Sequence, residues 1–243
     1  QCAPYNNIIP PHNGNIPYTG CVATAMAQIM RYHEWPDKGT GTIQWTCERD
    51  YASHDHVFNF EDATFEWENM LDKYNENTTP EQEGAIARLM YACGAAAEMQ
   101  YGYSASGSFL YVGASGMAEH LKYDVGMEYL ESKWYASLEE WDSICYTELS
   151  CGRPILYGGE NDKRHTRHAF VLDGYSEEGL YHINWGFGGE NNGYFKLTDF
   201  SYPGGNYRLN HAMVRGIKPM DETSAFIPAI SLEGQFRTNE VHY

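Results

Sequence analysis

Between residues 21 and 34, small residues (Ala23, Ala25, Ala27) are interleaved with Met26, Ile29, Met30 and His33. This spacing predicts a helix with a face that packs closely against its neighbours. Residues 35–78 are aromatic and polar without a sustained period, and read as a long connection with short strands at most. The next helix announces its start. Thr79 can cap it, Pro80 fits the first turn, and Gln82 completes a capping box. Ile86, Leu89, Met90, Cys93 and Ala97 then form its buried stripe. Residues 102–108, Gly-Tyr-Ser-Ala-Ser-Gly-Ser, are a loop of small residues. Helical patterns return at about 114–124 and at 138–150, the latter with the stripe Leu138, Trp141, Ile144, Cys145 and Leu149. Strands are predicted at about 154–157, 168–175, 179–184, 193–197 and 212–217. Their turn signals are Gly158-Gly159, Glu177-Glu178-Gly179, Gly188-Gly189 and Asn192-Gly193.

The chain thus divides into a helical half, about 1–150, and a strand-rich half, about 151–218. That order of elements is the signature of an α+β architecture. From Pro219 the pattern changes, and 219–243 reads as an extension, either a linker or the start of a further module. No internal repeat is visible.

Composition narrows the function classes. The 243 residues are 42% apolar and 20% charged, enough for one large domain or two closely packed halves. The net charge of −17 gives no basic footprint for nucleic acid and disfavours anionic membranes. No apolar run has the length of a bilayer span. The chain opens on Gln1-Cys2-Ala3-Pro4 without an initiator Met, which suggests a processed or trimmed product with its leader upstream. Six cysteines include no Cys-x-x-Cys pair, which argues against a zinc ribbon or a thioredoxin motif. Cys93 and Cys145 fall in helical apolar patterns and read as buried free thiols. Cys2, Cys47 and Cys151 stay open. His54-Asp55-His56 is a weak metal motif, because no partner ligands recur at helical spacing, and it reads as an exposed polar loop. Glu190-Asn191-Asn192 reads as a turn and lacks the alternating carboxylates of a calcium loop. The expectation is therefore no metal and no cofactor.

Three places can carry chemistry. Cys21 follows Gly20 and opens the first helix, where the positive end of the helix dipole favours a thiolate and a glycine leaves room for a substrate carbonyl. The ordinary alternative is a buried cysteine at a helix start. His168 heads the strand His-Ala-Phe-Val-Leu-Asp-Gly-Tyr, where an apolar run holds its ring rigidly. An imidazole so held can take a thiol proton and return it to a leaving amine. The ordinary alternative is a satisfied core or surface histidine. In Ile183-Asn184-Trp185-Gly186-Phe187-Gly188-Gly189, Asn184 can accept the second imidazole N–H and Trp185 can shield that bond. The alternative there is a hairpin with a core Trp.

The segment Gly20-Cys21-Val22-Ala23-Thr24-Ala25-Met26-Ala27-Gln28-Ile29-Met30-Arg31-Tyr32-His33 resembles the nucleophile helix of the streptopain-like (C10) family of bacterial cysteine peptidases. His168-Ala169-Phe170-Val171-Leu172-Asp173-Gly174 and Ile183-Asn184-Trp185-Gly186 resemble its other two blocks, in the same order. Gln1-Cys2-Ala3-Pro4-Tyr5-Asn6 resembles its Gln-x-x-Pro-Tyr-Asn segment, so the likeness runs from residue 1 to about Pro219.

The resemblance implies a papain-like α+β fold with the active site between a helical half and an antiparallel β half. It implies a secreted or cell-surface (or periplasmic) endopeptidase that acts on proteins or peptides in a reducing milieu. It also implies synthesis as a zymogen whose N-terminal propeptide inhibits it intramolecularly. By the same resemblance Cys21 is the nucleophile, His168 the acid–base, and Gln1 an oxyanion donor. Asn184 and Trp185 flank the histidine, and Ser106, Gly107 and Ser108 form a substrate-binding wall. The chain departs from the family in placing Arg167 before the histidine, in a longer polar loop from Gly158, and in a shortened Pro203-Gly204-Gly205-Asn206 loop. Asn184 and Trp185 are adjacent where papain-like enzymes separate them by one residue, which weakens Asn184 as a third triad member. The cluster Lys163-Arg164-His165-Thr166-Arg167 beside His168 suggests a bias towards acidic peptides. Two rival readings use the same residues differently: a papain-fold acyltransferase or amidase, and a catalytically inactive binding module.

Overall fold

The computed structural model describes residues 1–49, 52–202 and 205–221. Helix α1 spans Cys21–His33. Strands β1 (Thr42–Arg49) and β2 (Ala52–Asn59) form a separate antiparallel hairpin. Helices α2 (Pro80–Ala96) and α3 (Leu110–His120) follow, then β3 (Glu128–Glu131) and α4 (Leu138–Ser150). The second half adds β4 (Ile155–Glu160), β5 (Arg167–Tyr175), β6 (Tyr181–Asn184) and β7 (Gly193–Phe195). It closes with β8 (Ser201–Tyr202), β9 (Gly205–Asn206) and β10 (Leu209–Arg215). Six strands make one sheet in the order β3-β10-β4-β5-β6-β7, with antiparallel neighbours throughout. The α+β class is as expected.

The sheet has two covered faces, and the period of two along its strands assigns residues to them. In β5, Ala169 and Val171 join the core of the helical half, whereas Phe170 and Leu172 join a second core beneath α4. Leu156 and Val214 take the first side, and Ile155, Tyr157 and Met213 the second. Helix α1 packs against β5 on one side and α2 on the other. It is buried almost all round, from Val22 to Met30, because its alanines let neighbouring backbones approach. The predicted capping box of α2 is present, with Thr79 and Gln82 exchanging hydrogen bonds of 3.4 and 3.0 Å. Cys93 and Cys145 are buried free thiols, as expected, and so is Cys47, while Cys2 and Cys151 are free and exposed.

Helix α3 crosses α2 at closest range through Gly116. A Cβ there would lie 1.9 Å from the Ala96 carbonyl oxygen and 2.5 Å from its carbon. Backbone cannot rotate aside as a side chain can, so the helices would have to separate. Gly116→Ala is therefore expected to cost at least about 2 kcal/mol, despite alanine's better helix propensity. Urea unfolding of the variant measures it, and a midpoint at or above wild type would contradict this packing.

Four expectations change. The stretch 35–78 contains the eight-residue strands of the β1–β2 hairpin. Its inward face is Ile43, Trp45 and Cys47 from β1 with His56 and Phe58 from β2, a period-two pattern obscured by the polar and aromatic residues around it. Helix α3 begins at Leu110, not near 114. Phe109 gives no side-chain cap, two glycines thin its stripe, and buried Leu121 and Tyr123 extend the apolar pattern past its end. Strand β3 had no sequence signal. Gly158-Gly159 is not a turn but the interior of β4, paired with Ala169 and His168. The absent side chain serves close packing, because a Cβ on Gly159 would sit 2.7 Å from the Tyr207 carbonyl oxygen. Of the predicted C-terminal extension, Pro219 bridges to Tyr123 and the Met220 N–H donates to the Lys122 carbonyl at 3.0 Å. Residues 222–243, and Pro203-Gly204 of the glycine-rich loop, lie outside the described residues.

Candidate active site

Cys21 is the first residue of α1, after Gly20 at φ +86°. The glycine is required by that backbone angle and by crowding. A Cβ would lie 2.6 Å from Met99 Sδ and 3.3 Å from the Ser106 Cβ. It therefore turns the chain into the helix against the 102–108 loop, rather than clearing a path for substrate. Cys21 is half-buried and lines a cleft of about 910 Å³ with His168. Ser106, Gly107, Ser108 and Arg167 line the same cleft. The wall is stiffened from within. Ser106 Oγ accepts from the Gly102 N–H at 3.0 Å, Gly107 bridges to Gln100, and Ser108 donates to the Ala97 carbonyl.

Burial pushes the Cys21 thiol up, while N–H groups of Ala169, Cys21 and Val22 pull it back down. Two of these donors are orphan amides of the helix start, and the third belongs to β5 beside His168. The thiol is thus anchored by helix and strand backbone, and one of its donors is the residue that follows His168 in β5.

His168 is buried. Its Nε2 lies 2.9 Å from the Trp185 carbonyl oxygen, which can only accept, so Nε2 carries the proton and Nδ1 is left with its lone pair. The expected acceptor was Asn184, and the structure differs. Asn184 Oδ1 is occupied by Gln28 Nε2 at 2.9 Å and by the Gly186 N–H at 3.1 Å. Its side chain shapes the turn that aims the Trp185 carbonyl. With Asn184 Oδ1 committed to Gln28 and Gly186, the ring N–H is left to the Trp185 backbone carbonyl.

The Trp185 indole is fully buried and nearly parallel to His168, at 6.2 Å and 14°. Phe187 stacks closer, at 4.8 Å and 14°, and Tyr207 tilts against the ring at 5.4 Å. Sequence reasoning missed Phe187, Tyr207 and Gln28. Gln28 was findable, because it lies two helical turns beyond Cys21 on the same face. Tyr207 gave no signal, since it reaches the site only through the fold of the sheet.

Gln1 does not line the Cys21–His168 cleft. It lies in a neighbouring groove of about 550 Å³ with Thr24, Gln28, Asn184 and Gly186. Its carbonyl accepts from the Thr19 N–H at 3.2 Å, which holds it beside the approach to α1. Of the basic cluster only Thr166 and Arg167 line the cleft, and the Arg167 charge has an acidic neighbour. Glu160 faces Arg167 at 3.7 Å and His165 at 2.9 Å, and Glu48 and Glu98 share the cleft with Arg49. A net positive field at the lip, and with it a strong bias towards acidic peptides, has little support in this arrangement.

Desolvation drives the His168 imidazole down to about 4, opposed by its hydrogen bond to Trp185. His211, also buried, is lowered for the same reason. For a base whose folded pKa is depressed, the unfolded chain takes up the proton first as pH falls. Stability is then full above the unfolded value of about 6.5 and is lost between there and about 4. For His168 alone the loss amounts to roughly 3 kcal/mol. Urea unfolding at pH 7 and pH 5, above the range where most carboxylates titrate, should show the fall, and His168→Asn should reduce its slope. A pH-independent midpoint between 7 and 5 would refute the buried neutral ring.

The peptidase C10 family model matches residues 1–195. The thiol protease/hemagglutinin PrtT of Porphyromonas gingivalis is 32% identical over 246 residues, which cover 96% of this chain and 28% of that protein. Streptopain of Streptococcus pyogenes is 34% identical over 215 residues, 83% of this chain and 52% of the relative. The chain therefore spans about half or less of the length of these curated relatives. Among solved structures, the active wild-type interpain A cysteine protease of Prevotella intermedia superposes with a TM-score of 0.82. It is 35% identical, and the match covers 89% of this chain and 90% of that one. A prointerpain A fragment from the same organism gives 0.79 at 34% identity, covering 91% and 70%. By family model, by relatives and by fold, this papain-like chain belongs to the peptidase C10 family.

Proposed function

We propose that this protein is a cysteine endopeptidase that cleaves protein and peptide chains through a thioester on Cys21. The observation that carries the reading is the shared cleft. A thiol at a helix start faces the same space as an imidazole whose tautomer leaves Nδ1 able to take a proton.

Burial favours the neutral thiol and the neutral imidazole, so the proton moves during attack. Cys21 Sγ adds to the scissile carbonyl carbon as its proton passes to His168 Nδ1. The resulting imidazolium is held by the Trp185 carbonyl. The oxyanion is held by the Cys21 backbone N–H and by the Gln1 side chain, which would have to swing from its groove once substrate fills the cleft. Collapse breaks the C–N bond while His168 gives its proton to the leaving amine. Water then attacks the thioester, losing a proton to His168 and restoring the Cys21 thiol. Ser106, Gly107 and Ser108 offer a rigid wall for the substrate backbone. No residue in this sequence of steps calls on a metal or cofactor.

The same reading includes export from a bacterial cell and release from an N-terminal propeptide that blocks the cleft. It is supported by membership of a family with a solved pro-form fragment. No helix among the described residues is long and apolar enough to cross a membrane.

Labelling by a peptidyl epoxide tests the assignment. We expect one adduct per chain, located at Cys21 by peptide mapping, with loss of hydrolysis of an unfolded protein substrate in proportion to labelling. Labelling at Cys2 or Cys151 with activity retained would reject it.

A further inference from the structure

Outside the cleft, the structure gathers three ligand-type side chains from three separate segments. His12, Cys47 and His56 are all buried, and a ring nitrogen of each histidine and the Cys47 sulfur lie within 4.8 Å of one another. We propose that His12, Cys47 and His56 form a zinc site that ties the N-terminal segment to the β1–β2 hairpin.

Each ligand is placed by backbone geometry. His12 sits in a tight turn, where it and Asn15 exchange backbone hydrogen bonds of 2.8 and 2.9 Å across Asn13 and Gly14, both at positive φ. Cys47 and His56 come from opposite strands of the hairpin, which pairs Trp45 with His56 and Cys47 with His54. They are inward-facing positions of that hairpin, where an aliphatic pair would pack at no desolvation cost. His12 Nε2 and His56 Nε2 already face each other at 2.9 Å. Two imidazoles aimed nose to nose, with a thiol beside them, form a two-nitrogen, one-sulfur donor set of the kind zinc takes, leaving a fourth position for water.

The surroundings orient the ligands as a metal centre's outer shell does. His56 Nδ1 lies 3.2 Å from the Tyr91 hydroxyl, so a proton on Nδ1 has an acceptor when Nε2 is given to a metal. The Trp45 ring stacks on His56 at 4.8 Å, and the His54 ring stacks on His12 at 3.9 Å. The Cys47 thiol donates to the Met99 carbonyl at 3.0 Å. On binding, Cys47 loses its proton to solvent and bonds the ion as thiolate. Both histidines stay neutral, and the proton shared between their Nε2 atoms is relocated to a ring Nδ1. His54-Asp55-His56, read from sequence as an exposed polar loop, thus supplies one ligand from strand β2. The partners that helical spacing did not show come from His12 and Cys47, distant in the chain.

Such a clamp would fix the segment between Gln1 and Cys21 against the hairpin. It would raise stability by mass action, because the unfolded chain does not preassemble the site. Chelator-treated Cys21→Ser protein, which removes the competing cleft thiol, should be titrated with Co²⁺ as a spectroscopic stand-in and then with Zn²⁺. We expect one equivalent to bind, with a thiolate-to-cobalt charge-transfer band that zinc abolishes by displacement. Zinc at a hundredfold excess over Kd should raise Tm by about 5 °C or more. Cys47→Ser in the same background should lose the band. Because that variant alters a buried residue, zinc-edge anomalous scattering from crystals of the Cys21→Ser protein gives an independent reading, with a peak expected among the three side chains. Failure to bind at millimolar metal, a band that survives Cys47→Ser, or an anomalous peak at His168 or a surface carboxylate instead would overturn the site.

Discussion

Replacing Cys21 by Ala should reduce hydrolysis by on the order of 10⁶-fold, the scale on which loss of a covalent nucleophile is felt in a triad enzyme. Stability should move by no more than about 1 kcal/mol, because the half-buried thiol is small and the three N–H groups around it keep other partners or water. The combination matters. A large loss of activity with an unchanged unfolding midpoint assigns Cys21 to the chemistry. Residual turnover above a few per cent of wild type would mean that another group attacks the substrate. The same variant also answers whether the intact cleft can still bind peptides, which a purely adhesive protein would do equally well with or without the sulfur.

Trp185→Ala carries the second large effect, and here stability and rate should fall together. The indole is fully buried and packs on Phe170 at 4.7 Å, Tyr202 at 4.8 Å, Phe195 at 5.6 Å and Tyr207 at 5.8 Å, besides His168. Truncation of a buried Trp typically costs about 3–5 kcal/mol. The backbone carbonyl that holds His168 survives the change, but the ring that keeps water from that bond does not. We expect kcat to drop by about 10²-fold, as loss of precise positioning commonly costs. A role in packing alone would lower Tm without touching titration, so the pH profile separates the two. Desolvation is the main cause of the depressed His168 pKa, and letting water in should raise it from about 4 towards 6.5. The acid limb of kcat/KM, which requires neutral His168, should then shift to higher pH. Unchanged kcat with an unmoved acid limb would reduce Trp185 to a core residue.

Much of the fold was legible because local chemistry and final structure agree. Thr79, Pro80 and Gln82 marked the start of α2 by satisfying amides that any helix leaves open. The stripe of α4 marked its extent of 138–150. The strands β4 to β7 and β10 were found with boundary errors of a few residues. Failures came where a pattern had a second cause. Gly158-Gly159 carried the composition of a turn but serves close approach inside a strand. The β1–β2 hairpin hid because its alternation of Ile43, Trp45 and Cys47 is short, sits in a long polar and aromatic stretch, and faces a partner strand that supplies His56.

The sequence by itself singled out the pair proposed to react. A cysteine after glycine at a helix start, a histidine heading an apolar strand, and an Asn-Trp-Gly turn are each statements about a few consecutive residues, so sequence can hold them. Tertiary structure alone decided which atoms meet. It took the imidazole N–H to the Trp185 carbonyl rather than to Asn184, and brought Gln28 onto Asn184 across the chain. It set Phe187 and Tyr207 against the ring, and drew His12, Cys47 and His56 into one buried cluster. The physical reason is common to all four. Hydrogen bonds and stacking are decided within a few tenths of an ångström, by register and packing between segments far apart in the chain, and no local pattern of residue types encodes that distance.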